Sequence, residues 1–118
     1  MSGAEDWWLG WPAELARAEQ GWSEGNAGLA RVCCRRAAGM ALKAWLAQRP
    51  GVDWGTNFMH HIGALADDAS APPEAREAAW RLAARPAPEA GFTVPTPTPL
   101  TPMADARVII EWVRAGLA

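Results

Sequence analysis

Proline placement restricts this chain more than any other feature. Six of its ten prolines fall between Pro86 and Pro102, and Pro95, Pro97 and Pro99 alternate with threonine, so this stretch lacks the amide hydrogens that a central strand requires. An extended, polyproline-like crossing is expected there. The other four, Pro12, Pro50, Pro72 and Pro73, stand near the ends of segments whose apolar residues recur at spacings of three and four, the period of a helix with one buried face. The expected fold class is all-α: five helices in an antiparallel bundle, one domain over 1–118, with the Pro-rich crossing at 86–102 before the last helix.

Each helix has its own signals. Trp8, Trp11, Leu15, Ala18 and Trp22 define the inner face of the first, and Pro12 predicts that its main part starts near Trp11, after a looser leading turn at Asp6–Gly10. Ser23 or Asn26 is suited to cap the second, which should run to Arg49 before Pro50-Gly51 stops it. Its inner face reads as Leu29, Val32, Cys33, Ala37, Met40, Ala41, Ala44 and Trp45, with Arg31, Arg35 and Lys43 forming a polar stripe beside it. Thr56 or Asn57 should cap a short third helix reaching about Ala69, and Pro72-Pro73 opens a fourth that ends by Pro86. Thr101 followed by Pro102 reads as cap and first position of the last helix, with Ala106, Val108, Ile109, Trp112, Val113 and Leu117 inward.

Composition narrows the function classes. A chain of 118 residues, half of them apolar, should bury about two thirds of its unfolded surface without staples. A formal charge of −2 disfavours a grip on extended nucleic acid, although a few of the ten arginines and Lys43 would suffice for a nucleotide or a short RNA. The adjacent Cys33 and Cys34 point apart on a helix and read as reduced core thiols. No membrane span, no basic signal-like start and no Walker or dinucleotide glycine spacing occurs, so a cytoplasmic protein with no membrane role and no cofactor is expected. Cys33, Cys34, His60 and His61 lack the spacers that let zinc ligands converge, and no metal site is expected. Of the eight tryptophans, Trp7, Trp54 and Trp80 fall off the apolar faces and are the candidates for exposure.

Polar chemistry concentrates in Gly55-Thr-Asn-Phe-Met-His-His-Ile-Gly-Ala-Leu65, which carries both histidines of the chain on one helix turn. Asn57 and His61 share a face four residues apart, while the two imidazoles diverge by about 100°. Asn57 has an ordinary structural role as N-cap beside any role in a site. Asp67-Asp68 reads as exposed charge near the helix end.

Three segments, taken in order, resemble the HEPN family of small helical-bundle domains. Arg36-Ala-Ala-Gly-Met-Ala-Leu-Lys-Ala-Trp-Leu46 is similar to its second-helix signature, with Gly39 where a glutamate is common. His60-His-Ile-Gly-Ala-Leu65 is similar to its third helix, and Ala106-Arg-Val-Ile-Ile-Glu-Trp-Val-Arg114 to its last. The resemblance implies a homodimer, with its interface on the long helix and the histidine helix, that binds a nucleotide, RNA or protein partner. In a cleft beside these two helices the candidate ligand set is Arg35, Arg36, Lys43, Asn57, His60 and His61. Many members are metal-independent RNases or toxins that use an arginine, a polar residue and a histidine in an Arg-x(four to six)-His motif. Here Thr56 holds the arginine's place, so the favoured expectation is a non-catalytic binding protein. The alternatives are an RNase toxin with its cation from Arg35, Arg36 or Lys43, His61 or His60 as base and Asn57 positioning phosphate, and a structural interaction protein. For the toxin, a nucleotidyltransferase-like antitoxin is the expected protein partner. The two family patterns select different histidines, His61 by the first and His60 by the second.

Overall fold

The computed structural model describes the backbone of residues 3–84 and 101–117, with side chains from Trp7 onward. Five helices make up the described chain: α1 Gly3–Ser23, α2 Ala27–Ala47, α3 Phe58–Ala66, α4 Pro73–Ala83 and α5 Pro102–Gly116, with no strand among the described residues. The crossing expected over 86–102 lies outside the described residues except for Thr101 and Pro102. None of these helices is long and apolar enough to cross a membrane.

Local chemistry sets the helix ends. Asn26 accepts from the Leu29 amide at 3.0 Å, Asn57 from that of His60 at 2.9 Å, and Thr101 from that of Ala104 at 3.1 Å, each satisfying a first-turn donor that has no partner within its helix. α4 opens with Pro73 and α5 with Pro102, where the missing amide costs nothing. The first helix departs from the sequence reading. It runs unbroken through Pro12, whose exposed ring forfeits one backbone hydrogen bond. Its leading turns are held by aromatic packing, with Trp7 edge-on to Phe58 at 6.1 Å and Trp8 against Trp11 at 5.5 Å.

At the centre stands α2, which packs on α1, α3 and α5. Its buried face is made chiefly of Ala30, Cys33, Cys34, Ala37, Ala38, Ala41, Leu42 and Ala44, small side chains that let neighbouring helices come close. The neighbours supply the bulk: Leu15, Ile62, Leu65, Leu82, Ile109, Ile110 and Val113 all join the core. Leu29 and Val32, expected inside, are 38% and 49% exposed, and Trp22 is also exposed. The inward face is therefore rotated toward the alanines, because a small-residue face permits the closest packing. Burial pushes the Cys34 thiol up to about 12, reinforced by Cys33 beside it, which leaves it a poor nucleophile.

Charged side chains lock the far end of the bundle. Arg35 donates to the Leu82 carbonyl at 2.8 Å and to that of Ala84 at 3.2 Å, while Arg31 donates to the Arg81 carbonyl at 3.3 Å. These two α2 guanidiniums thereby satisfy the free carbonyls at the C-terminus of α4. Arg81 in turn donates to one oxygen of the buried Asp105 on α5, at 3.1 Å from Nε and 2.9 Å from Nη2. Replacing Asp105 with alanine should cost roughly 1.5–3 kcal/mol, the range for a hydrogen bond to a charged group, as read from urea unfolding midpoints. Arg81 is partly exposed and can turn to water, which holds the loss to that range.

Candidate functional site

The turn between α2 and α3 is built to present His61. Asp53 accepts the Gly55 amide at 3.1 Å, and Gly55 takes a positive φ of 82° that a side chain would strain. A Cβ at Gly55 would also lie 2.8 Å from the His60 Cβ. Asn57 then starts α3, which turns His61 inward and His60 to solvent. The two histidines diverge as their spacing implies.

His61 is 2% exposed, and its Nε2 lies 3.1 Å from the Gly55 carbonyl oxygen. A carbonyl only accepts, so Nε2 carries a proton, and in the neutral ring the lone pair then lies on Nδ1. That Nδ1 is buried and without a hydrogen-bond partner. Burial pulls the His61 pKa below its ordinary value of 6.5, outweighing the contact with Gly55, and Lys43 and His60 pull it the same way.

Lys43 enters the same region from α2. Its ammonium lies 4.6 Å from the centre of the Trp7 ring and 6.0 Å from that of Phe58, within the range of cation–π attraction. It has no carboxylate partner among the described residues. Around it lies a recess of about 260 Å³ lined by Trp7, Lys43, Leu46, Val52, Trp54 and His61, among others. Trp54 is held as one wall by stacking at 4.9 Å on Trp45, which itself leans on Trp112 at 5.0 Å. Arg49 braces this aromatic row from 4.1 Å over Trp45 and donates to the Gly116 carbonyl at 2.9 Å.

A second recess of about 260 Å³ lies further along α2, lined by Val32, Arg35, Arg36, Phe58 and Met59. Phe58 lines this recess, with its ring centre 6.0 Å from the Lys43 ammonium of the other. Its ring stands directly on Gly39, where any Cβ would overlap the Phe58 Cβ and Cγ. The glutamate common at that position in the HEPN pattern has no room here.

Of the residues singled out in the sequence, Lys43 and His61 share the first recess, and Arg35 and Arg36 line the second. Arg35 is engaged with the end of α4, and Arg36 pairs with the buried Glu14 at 3.4 Å. Asn57 is the cap of α3, and exposed His60 lines neither recess. Among the described residues no three His, Cys, Asp or Glu side chains gather as metal ligands. Sequence reasoning missed Trp7, Trp54 and Gly39 as parts of the site. Trp7 and Trp54 had a partial signal, since both fell off the apolar helical faces.

No family model matches the chain, and comparison with curated proteins and with solved structures likewise returns no match. Fold and site together give, among the described residues, a set of helices with Lys43 in a recess lined by Trp7 and Trp54.

Gly39→Ala should gain about 0.5–1 kcal/mol of helix propensity and lose about 1–3 kcal/mol through overpacking against Phe58, for a net destabilisation in urea melts. The buried His61 sets a pH dependence of defined sign. Its folded pKa is lowered, so the unfolded chain binds the proton first as pH falls through 6.5. The stability that the neutral ring contributes is fully present above 6.5, declines below it, and levels off once the folded pKa is passed. Urea midpoints taken from roughly pH 7.5 down to roughly pH 5 should fall in the wild-type chain and stay flatter in His61→Gln.

Proposed function

We propose that this chain is a HEPN-like, non-catalytic binding domain that recognises the anionic part of its ligand in the recess at Lys43. The observation that carries the reading is an ammonium without a carboxylate partner, set over Trp7 at the mouth of a recess walled by Trp54. A lysine so placed keeps its charge available for an incoming carboxylate or phosphate, and flat indole walls favour a planar or apolar group beside that anion. At about 260 Å³ the recess is below the usual 300–1,000 Å³ of drug-sized sites, so it suits one compact group rather than a dinucleotide. Within the three classes that the resemblance implies, a nucleotide, an RNA end or an acidic protein segment would each supply such a group.

Catalysis does not enter this reading. The Nδ1 of His61 is buried although the residue lines the Lys43 recess, so an RNase mechanism would have to run through exposed His60, which does not line that recess.

The homodimer implied by the resemblance belongs to the same proposal, on a face other than the one expected from the sequence. The groove between α4 and α5, about 500 Å³, is lined by apolar Ala75, Val108 and Trp112 and by charged Glu74, Glu111 and Arg107. Charges of both signs on one face suit a twofold contact.

Titration of the isotopically labelled protein with AMP and with benzoate, a planar phosphate ester and a planar carboxylate, tests the anion site. At least one should shift the indole resonances of Trp7 and Trp54, and Lys43→Met should weaken that binding about tenfold or more, as expected for a lost charge-assisted contact. No shift with either compound would refute the reading.

A further inference from the structure

The two recesses lie on one stripe of α2. At about 100° per residue, Val32, Arg36, Gly39, Lys43 and Leu46 fall within a narrow sector of that helix, opposite its alanine face. Phe58 of the partner helix α3 stands on Gly39 in the middle of the stripe, with one recess lined by Val32 and Arg36 and the other by Lys43 and Leu46. One recess offers apolar surface at Val32 and Met59, 49% and 40% exposed beside Phe58, with Arg35 and Arg36 also in its lining. The other holds Lys43 without a carboxylate partner, and Arg36, in the lining of the first, is more than half exposed despite its pairing with Glu14. Neither recess has an acidic side chain in its lining. From Val32 to Lys43 the helix rises about 16 Å, which about five residues of extended chain would span.

Resting on the anion site proposed above, we propose that this stripe docks a short linear segment of another protein, one that combines an acidic residue with an aliphatic or aromatic residue. The apolar side chain enters the Val32–Phe58–Met59 recess, and the carboxylate reaches Lys43 across Arg36. Charge selects this occupant over two others. A second copy packed stripe against stripe would bring the Arg36 and Lys43 cations of both copies into one contact, with no acid among the stripe residues to offset them. An RNA strand would set a phosphate at every nucleotide, whereas the Val32 end of the stripe, beside Met59 of α3, offers aliphatic carbon.

The test is selection of short linear peptides from a display library on the full chain. Fluorescence anisotropy then follows with the selected peptide carrying fluorescein, and in parallel with a fluorescein-labelled oligouridylate. The expected result is a consensus that pairs acidic with large apolar residues, with binding weakened about tenfold by Lys43→Met and by Val32→Glu, and further by Val32→Glu with Met59→Glu. Val32 and Met59 are surface residues, and circular dichroism melts of the variants confirm that the fold is retained. Four results overturn the proposal: no selected peptide, a consensus without acidic residues, oligouridylate displacing the peptide at lower concentration, or sedimentation showing a dimer that Val32→Glu breaks. If AMP or benzoate binds at Lys43 while no acidic peptide does, the docking proposal alone falls. If none of them binds, both readings fall.

Discussion

Close approach to α2 is the constraint on which the rest of this structure depends. Its inner face is largely alanine and cysteine, so α1, α3 and α5 can come near its backbone while their own leucines, isoleucines and valine fill the space between. A helix with a small-residue face cannot fill a core alone; it acts as the axis against which others pack. The same device recurs outside the core at Gly39, where a missing side chain lets Phe58 sit on the helix and fixes the start of α3.

Closeness on one side of α2 leaves the larger residues of that helix on the other. Val32, Arg36, Lys43 and Leu46 ring the ground around Phe58, and Trp7 from α1 and Trp54 from the α2–α3 turn complete the walls. The turn is held by Gly55, which serves twice: its positive φ closes the turn, and its carbonyl takes the proton-bearing nitrogen of His61. His61 thus acts as a buried strut of the recess, and the accessible charge there is that of Lys43. Arg31 and Arg35, the neighbouring cations on α2, are engaged at the end of α4 and belong to the scaffold.

Much of the scaffold was legible from single residues because helix ends are local events. Asn26, Asn57 and Thr101 cap the helices at whose starts they were expected, and Pro73 and Pro102 open theirs. Residues whose fate depends on neighbours were harder to read. Leu29, Val32 and Trp22 fit an inner-face pattern yet stand exposed, because periodicity identifies a face without showing which neighbour will cover it. Pro12 was expected to delay the first helix, but the packing of Trp7 and Trp8 carries the helix through it. For the site, the sequence supplied Lys43 and the histidine turn, whereas its aromatic walls come from residues 36 and 11 positions away from that lysine.

By itself, then, the sequence determined an all-helical chain, the caps and prolines that punctuate it, and the helix turn on which His60 and His61 diverge, because these follow from hydrogen bonds and periodicity within a few residues. Only the tertiary structure decided which histidine is buried, which cations are engaged in the scaffold, and that Lys43 meets Trp7 and Trp54. Each of these depends on how closely one helix lies against another, which the small side chains of α2 permit and no local pattern records.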